Sequence, residues 1–384
     1  MRIALLTELY PPSIGGQELF FEGLGRALAD RGHRVEVFCI GHAAGLPAEE
    51  TLDGIAVHRF PSDPAYRSPP RAWMKRAWPT IFRYAFWTRR RLRDDDYDLV
   101  VLNQWPLLHA VTLPRRLRRR TVLHWCEVRN GRFYATVQRW LPRLSGHNAA
   151  ISDVVATAIG TTSERPFLVL TSGLRLGEYH SAPARMRSGI LSLGRIVEHK
   201  NLPLLVSAFE QLRQGGYAGR LTIAGDGPGL ASLKAVIAAS PVGGDIALAG
   251  PVSDEDKAKL LAEHELFAIV SQREGFPRVV AEAMASGLPV LTAGYPGNGA
   301  SDIVRAAGCG LVAEPAPAAL ADAARAILGQ WAAYSEAGLR FAADLDWSWI
   351  AERLERQVGW EPARPPARSE AASSPSPADS HAVG

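Results

Sequence analysis

The segment RIALLT (2–7), followed by the turn-forming PPSIGG (11–16), contains the pattern that decides the fold. RIALLT is a short apolar run of the kind that forms buried strands, and residues 17–30 then carry apolar side chains at helical spacing. VEVFCI (35–40) has the composition of a second strand. Strand, glycine loop, helix and strand form one βαβ unit, which predicts a parallel sheet with right-handed crossovers.

The same unit recurs along the chain in two series. Further strands are predicted at YDLVVLN (97–103) and TVLHW (121–125), and a second series of apolar strands starts at Ile190. Two such series predict an α/β protein of two doubly wound, Rossmann-like domains with an interdomain cleft. We place the first domain at residues 1–175, a linker at 176–189, the second domain at 190–335, a C-terminal helix that could cross back to the first domain at 336–360, and a disordered tail at 361–384.

Composition excludes several classes of protein. Of the 384 residues 47% are hydrophobic and 21% are charged, which excludes a mainly disordered or collagen-like chain. No run approaches the ~18 apolar residues that a membrane-spanning helix needs. The three cysteines lie far apart without a CxxC pair, and the start lacks the features of a secretory signal. These observations predict a cytoplasmic protein with reduced thiols.

The segment EGFPRVVAEAMASGLPV (274–290) carries two carboxylates eight residues apart, Glu274 and Glu282. Glu274 follows a predicted strand at its carboxyl end, where doubly wound folds bind ligands, and a helix starts at Arg278 with its amino end toward the same cleft. At ~1.5 Å per helical residue the two carboxylates could be up to ~12 Å apart, beyond the ~5–9.5 Å separation of a glycosidase pair. The pattern favours two contacts with one elongated ligand, whereas an isolated pair of this spacing is more often surface charge.

A second group of charged residues follows the first strand of the second series. Arg195 and Lys200 lie in the loop after that strand and before a predicted helix, a placement that suits a diphosphate, with solvated loop charge as the alternative. IAGDGPG (223–229) is another glycine-rich strand end, but it lacks the full GxGxxG spacing and supports a nicotinamide site only weakly.

Six pieces of this sequence, taken in order, resemble one known family. They are the glycine loop with Gly15 and Gly16, the RGHRVEVF strand, a strand ending near His124, and the segments GRIVEHK, AGDGP and EGFPRVVAEAMASGLPV. Together they are similar to the GT-B nucleotide-sugar glycosyltransferases, in particular the large retaining family 4, from Arg2 to about Val358. EGFPR stands here in place of the family's usual EGFGL, which leaves the identity of the donor open.

The resemblance implies roles for the matched residues. Glu274 would hold hydroxyls of the donor sugar and Glu282 the ribose hydroxyls of the nucleotide, while Arg195 and Lys200 would neutralise the departing diphosphate. Gly16 would allow the backbone to approach the phosphates, and His124 would lie beside the sugar ring and contact a hydroxyl. The remaining residues that the resemblance assigns to the donor site are Gly15, Gly194, Gly225, Gly275, Phe276, Arg278 and Val279.

An acidic run and a basic run need separate interpretation. DDDYD (94–98) contains D-x-D, which binds a metal in a different glycosyltransferase fold, but it precedes a strand, so we interpret it as a solvated turn and predict no metal and no cofactor. Residues 71–93 contain eight Lys and Arg and no acid, with apolar residues at helical spacing. Two interpretations stay open: a helix packed on its own domain, or a surface that contacts an anionic membrane or acceptor.

We therefore predict a retaining glycosyltransferase that moves a sugar from a nucleotide-diphosphate sugar to an acceptor hydroxyl, lipid-linked or soluble, in glycan, glycolipid or glycosylated-metabolite synthesis. One alternative is a nucleotide-sugar epimerase of the same fold, which has no acceptor to recruit. The other is a non-catalytic protein that binds sugar nucleotides, which would be expected to lose the phosphate-binding cations. Nucleic acid is not an expected partner, because no recognised motif accompanies the basic residues of the first half.

Overall fold

The first apolar run, the helix after it and the next apolar run form a βαβ unit in the computed structural model, which describes residues 1–13, 15–61, 77–92, 97–105 and 107–360. The strands of this unit and those that follow it up to residue 169 form one sheet. They are β1 (Arg2–Leu6), β2 (Arg34–Ile40), β3 (Glu49–Leu52), β4 (Ile55–Phe60), β5 (Leu99–Asn103), β6 (Thr121–Trp125), β7 (His147–Ala150) and β8 (Leu168–Val169). The helices between them are α1 (Gly16–Asp30), α2 (Trp78–Arg91), α3 (His109–Thr112), α4 (Arg115–Arg119), α5 (Arg132–Trp140) and α6 (Asp153–Ser163).

The first sheet has the strand order β3-β4-β2-β1-β5-β6-β7-β8. All neighbouring strands are parallel except β3 and β4. The order reverses between β1 and β5, so the crevice beyond the carboxyl ends of these two strands is the switch point of the sheet.

The antiparallel pair of β3 and β4 was not among the predicted strands. Asp53 and Gly54 join the two strands, with φ angles of 49° and 78°. A two-residue hairpin turn of this kind requires positive φ at both positions, and Asp-Gly is one of the sequences that supply it. The Asp-Gly pair was therefore the signal in the sequence that would have predicted this hairpin.

The second sheet is formed by residues 190–313 and is parallel throughout, in the order β11-β10-β9-β12-β13-β14. Its strands are β9 (Ile190–Leu193), β10 (Leu221–Ala224), β11 (Ile246–Gly250), β12 (Leu266–Ile269), β13 (Val290–Ala293) and β14 (Gly310–Ala313). The helices are α7 (Leu202–Gln214), α8 (Leu230–Ala239), α9 (Asp254–Glu263), α10 (Arg278–Ala285), α11 (Gly299–Ala307), α12 (Pro317–Gly329) and α13 (Trp331–Ala343). This sheet reverses between β9 and β12, which defines its own switch point.

Alternating residues of the second sheet pack into two separate cores, as a strand period of two requires. In β12, Leu266 and Ala268 belong to the core beneath α7 and α12, whereas Phe267 and Ile269 belong to the core beneath α10 and α13. Helices therefore cover both faces of the sheet, and the strand ends remain as the edge at which a ligand can bind.

The last helix, α14 (Trp347–Gln357), packs against α1 and contributes its buried side chains to the core of the first sheet. Trp347 fits between two glycines, since a Cβ on either Gly23 or Gly173 would overlap its indole ring. The backbone of Leu174 also bonds to Leu345 and Trp347, which holds the crossing segment in place. The exact bounds of the two domains and of the linker stay a prediction.

Only part of the predicted basic helix 71–93 falls within the described residues. There α2 starts at Trp78 with Pro79 in its first turn, a position at which proline does not kink a helix. Most of DDDYD (94–98) lies outside the described residues, and Asp98 accepts a hydrogen bond from the backbone of Arg2. Across the described ranges, no helix combines the length and hydropathy of a membrane span.

Candidate active site

The loops after β9 and β12 meet at the switch point of the second sheet. Lys200 Nζ lies 2.5 Å from Glu274 Oε1, and both side chains are mostly buried, at 17% and 14% exposure. Arg195 is exposed in the same loop, and it lines a shallow pocket together with Gly194 and Lys200. The structure thus brings together both predicted diphosphate cations and the predicted sugar-binding carboxylate.

Glycine at position 225 is required by a close approach of two strand ends. Gly225 has φ 139°, and a Cβ there would lie within bonding distance of the carbonyl oxygen of Gly194. Gly194 itself has φ 141°, which side chains rarely adopt. The ends of β9 and β10 can therefore approach each other, and Gly194 lines the shallow pocket.

The segment between β12 and α10 faces the first domain. A Cβ on Gly275 would lie 3.9 Å from the carbonyl oxygen of Cys126, across the cleft. Phe276 packs against the core of the first sheet and against one core of the second, so it contacts both halves of the molecule. Val279 packs into the second of these cores from the first turn of α10. These contacts hold the amino end of α10 in place at the cleft.

Glu282 is 3% exposed and its Oε1 accepts three hydrogen bonds. The donors are Tyr179 Oη at 3.2 Å, Lys257 Nζ at 3.2 Å and Arg278 Nε at 3.1 Å. Burial opposes the charge on Lys257, but attraction to Glu282 and to Asp254 outweighs it and raises the pKa of Lys257. The carboxylate borders a cavity of about 510 Å³ that Leu19 of the first domain also lines.

Gly15 and Gly16 form the start of α1, as expected for the glycine loop. The carboxylate of Glu18 lies against Gly15, where a Cβ would be 2.5 Å from Oε2. Gly16 and Glu18 line a cavity of about 290 Å³ at the switch point of the first sheet. Gly16 thus lies at the crevice of the first sheet, and its proposed contact with the donor's phosphates stays a prediction.

His124 is completely buried at the end of β6. Its Nε2 lies 3.0 Å from the carbonyl oxygen of Leu170, and its ring stacks on Phe20 with centroids 4.0 Å apart. A carbonyl only accepts, so Nε2 carries the proton and Nδ1 faces the Cys126 thiol at 3.5 Å. Burial lowers the pKa of His124 to about 4, so the ring is neutral. No part of the ring is exposed in this structure, so nothing here supports its predicted contact with a sugar hydroxyl, which stays a prediction.

A cavity of about 610 Å³ lies between the two domains. The first domain contributes Cys126 and Glu127, and the second contributes Glu274, Gly275 and Phe276. The sequence did not identify Glu127, although it follows a buried strand at its carboxyl end, as Glu274 does. Nor did it identify Lys257, which lies on α9 and reaches Glu282 only through tertiary packing.

Among the described residues, no group of three or more His, Cys, Asp or Glu side chains is arranged to hold a metal ion. The charged groups at the cleft are instead those that bind an anion and hydroxyl groups: two cations, the amino end of α10 and two largely buried carboxylates. Such a set can hold a sugar linked to a phosphorylated nucleoside and stabilise negative charge that develops on the phosphate.

Two family models match the chain. The one described as "Glycosyl transferases group 1" matches residues 182–338, and the one described as "Glycosyl transferase 4-like domain" matches residues 15–165. Among curated relatives, the MMP alpha-(1->4)-mannosyltransferase of Mycolicibacterium hassiacum is 27% identical over 76% of this chain and 80% of its own. The glycogen synthase of Mycobacterium tuberculosis is 25% identical over 91% of this chain and 92% of its own.

Solved structures share the fold at lower identity. Sucrose-phosphate synthase from Thermosynechococcus elongatus superposes with a TM-score of 0.75 at 19% identity, covering 93% of this chain and 98% of that one. Anabaena HepE in complex with UDP and glucose gives a TM-score of 0.69 at 20% identity, covering 93% and 99%. The strand orders, the matched segments and these likenesses agree: the chain is a GT-B fold member of the group 1, family 4-like glycosyltransferases.

Proposed function

We propose that this glycosyltransferase uses a nucleotide-diphosphate sugar as donor and transfers the sugar to an acceptor hydroxyl with retention of the anomeric configuration. The contact between Lys200 and Glu274 is the observation that supports this most strongly. It joins the cation that we propose binds phosphate to the carboxylate that we propose binds the sugar. Both lie at the switch point of the second sheet, where this class of fold binds its ligands.

Each part of such a donor has a matching group in the site. Arg195, Lys200 and the amino end of α10 would bind the diphosphate, and Glu274 would accept hydrogen bonds from sugar hydroxyls. Glu282 would accept the ribose hydroxyls, with its orientation already set by Tyr179 and Lys257. Anabaena HepE, solved in complex with UDP and glucose and with UDP-glucose, is an example of this fold with such a molecule bound.

The proposed reaction breaks the bond between the anomeric carbon and the phosphate oxygen. The acceptor oxygen forms the new bond to that carbon, and its proton passes to the departing nucleotide diphosphate. No protein base is then required on the acceptor side. This is consistent with His124, which is completely buried and whose pKa burial lowers to about 4, so that it is inaccessible and weakly basic. Arg195 and Lys200 would stabilise the charge on the leaving group, and they would act most strongly in the transition state.

We also propose that the transfer needs no metal ion and takes place in the cytoplasm, where the free thiols of Cys39, Cys126 and Cys309 would stay reduced. Activity should therefore persist in excess EDTA. Complete loss of activity in EDTA, with recovery when a divalent cation is restored, would contradict the absence of a metal.

A further proposal concerns the acceptor side: α2 would contact an anionic membrane surface. Trp78, Phe82 and Phe86 form one row along this helix and are 38%, 48% and 53% exposed. The last turn of α2 adds three arginines. Aromatic side chains next to a basic cluster suit the interface of an anionic bilayer, and a lipid-linked acceptor would be reached there, as polysaccharide or glycolipid synthesis requires.

The donor can be identified by thermal unfolding of the purified protein with a panel of UDP-, GDP- and ADP-sugars. A donor at ~100 times its dissociation constant should stabilise the fold by roughly 2.7 kcal/mol. An epimerase would convert the bound donor without acceptor, and a non-catalytic protein would bind it unchanged. Absence of stabilisation by every member of the panel would contradict the proposed donor class.

A further inference from the structure

The segment EGFPR replaces the family's usual EGFGL, so an arginine stands at position 278 where leucine is usual. Arg278 is the first residue of α10, and Glu282 lies four residues further along the same helix. Residues at this spacing share one helix face, and Arg278 Nε donates to Glu282 Oε1 at 3.1 Å. The side chain that stands in place of leucine is therefore in contact with the carboxylate proposed for the ribose hydroxyls.

A cation at this end of a helix is unfavourable. The first turn of a helix carries partial positive charge, so it stabilises acidic side chains and repels basic ones. The first turn of α10 contains no acid, and it begins with Arg278. Helix formation therefore does not account for this arginine, whereas its ion pair with Glu282, whose side chain is 4% exposed, offsets the repulsion. The contribution of Arg278 is to that carboxylate and not to the helix.

Three donors converge on one oxygen of Glu282. Tyr179 Oη and Lys257 Nζ, each at 3.2 Å, join Arg278 at Oε1. A carboxylate oxygen offers two lone pairs, so Oε1 has no capacity left for a ligand. Oε2 accepts none of these three bonds, and Glu282 lines the cavity of about 510 Å³. Oε2 is thus the oxygen left for a ligand in that cavity, with two lone pairs for two adjacent hydroxyls such as those of a ribose.

The partners of Glu282 are themselves held in place. Lys257 also donates to Asp254 at 2.8 Å, and its own side chain is 16% exposed. Burial raises the pKa of Tyr179 and the charge of Glu282 raises it further, so the hydroxyl stays protonated and remains a donor. Three separate parts of the chain, α9, α10 and the segment before β9, therefore hold the carboxylate in one orientation before a ligand binds, as a pre-organised site requires.

We propose that Arg278, together with Lys257, is a positioning residue for Glu282: the two cations occupy Oε1 and leave Oε2 to bind the ribose hydroxyls, so they set the discrimination between ribonucleotides and 2′-deoxyribonucleotides. This inference rests on the proposed function and identifies the residues that make its ribose site selective. A different role for Arg278 is direct contact with the diphosphate, in place of the backbone N–H that Pro277 lacks. That role predicts equal losses for the two kinds of nucleotide, so the ratio of their affinities separates the two roles.

The test measures the Kd of UDP, GDP and ADP, and of their 2′-deoxy counterparts, for the full chain by calorimetric titration. For the nucleotide that binds best, the 2′-deoxy form should bind the parent at least about tenfold more weakly, because it lacks one hydrogen bond to a charged acceptor. In Arg278→Leu this ratio should fall below about threefold, since Glu282 is no longer held with Oε2 toward the ribose. Arg278→Lys, which keeps a charged donor, should recover part of the ratio.

Lys257→Met acts on the same carboxylate from α9 and should also lower the ratio, so the test remains decisive if Arg278→Leu does not fold. Arg340→Leu is the matched control, because it removes an arginine that pairs with Glu336 at the same spacing on α13 and does not line the cavity. It should leave the ratio unchanged.

The outcomes separate this inference from the proposed function. A ratio that the folded Arg278 and Lys257 variants retain, or a parent that binds both kinds of nucleotide equally well, overturns the inference and leaves the donor class in place. Equal weakening of both kinds of nucleotide in Arg278→Leu overturns it in favour of a phosphate contact. A parent that binds none of the three nucleotides overturns the proposed donor class and this inference with it.

Discussion

Replacing Glu282 should separate nucleotide binding from the rest of the site. In Glu282→Ala the ribose hydroxyls would lose a charged acceptor, worth about 1.5–3 kcal/mol, so the Kd of the free nucleotide diphosphate should rise roughly 10- to 100-fold. Calorimetric titration of the variant and of the exposed-site control Glu336→Ala measures this difference. Unchanged nucleotide affinity would show that Glu282 is a structural partner of Lys257 and Arg278 only.

The two cations should act on the rate more than on ground-state binding. Arg195→Ala and Lys200→Ala are expected to lower kcat more than they raise the donor KM, because the diphosphate gains charge as the bond to the sugar breaks. Lys200→Ala also leaves the mostly buried Glu274 without its 2.5 Å partner, so its effect should be the larger. Equal turnover by the double variant would contradict the diphosphate assignment.

Site residues that follow strands could be predicted from sequence, because the carboxyl ends of parallel strands converge on one edge. Arg195, Lys200 and Glu274 were proposed in this way, and the structure places them close together. The burial of His124 could not be predicted, since it depends on Phe20 and Leu170 from elsewhere in the chain. Two of the three partners of Glu282 likewise come from elsewhere in the chain, Lys257 from α9 and Tyr179 from the segment before β9.

At the scale of single elements, vesicle binding by α2 can decide between the two interpretations of the basic segment, a membrane surface and an ordinary packed helix. Its exposed aromatic row predicts that the protein sediments with anionic vesicles at low salt and is released as salt rises, since surface charges are screened over ~8 Å at 0.15 M. Replacing Arg89, Arg90 and Arg91 by Gln should weaken partitioning at least tenfold, at ~1 kcal/mol for each charge.

A control for that experiment replaces three exposed cations of the second domain by Gln, namely Lys234, Arg305 and Arg340. These changes alter net charge equally and should leave vesicle binding much closer to that of the parent. Because Phe82 is 48% exposed, Phe82→Ser should cost little stability. Vesicle binding that is absent at both salt concentrations would contradict the membrane proposal and favour a soluble acceptor.

The docking of α14 on α1 should depend on pH through Glu355. Burial alone would raise the pKa of Glu355, but hydrogen bonds from Arg31 and His33 outweigh burial and lower it. Its contribution to stability is therefore present above the ordinary carboxyl pKa of ~4.3 and is lost as pH falls below it. Glu355→Gln should cost ~3 kcal/mol of unfolding free energy at pH 7, because it breaks a buried ion pair.

Denaturant unfolding at pH 7 and at pH ~3.5 measures this difference. Glu352→Gln, which removes a carboxylate on the more exposed side of the same helix, is the control and should have a small effect at both pH values. A stability loss in Glu355→Gln that is as large at the lower pH would contradict the ion-pair explanation.

The periodicity of the hydrophobic residues predicted most of the strands and helices, and those that it missed have physical reasons. β12 lies within the apolar run LFAIVS (266–271), and such a run is typical of a strand whose two faces are both buried. β3 reads EETL and was missed because a half-exposed edge strand carries no apolar run. The packing of Trp347 against Gly23 and Gly173 joins residues far apart in sequence, so no local pattern could specify it.

At the scale of the whole molecule, the two sheets place complementary chemistry on opposite sides of one cleft. The second sheet carries the cations and carboxylates proposed for the donor, and the first lines the other side of the interdomain cavity with Cys126 and Glu127. Residues 1–189 have a net charge of +10 and residues 190–384 of −6, so the two halves present different surfaces to their partners.

The central claim, transfer of a sugar from a nucleotide diphosphate with retention, is tested most directly by following the reaction by proton NMR. The protein is incubated with the donor that stabilises it best and with a panel of hydroxyl acceptors, and the coupling constant of the anomeric proton of the transferred sugar is read in the product. The account predicts a product with the anomeric configuration of the donor, released together with the nucleoside diphosphate. An inverted product, or a donor that is never consumed, would contradict it.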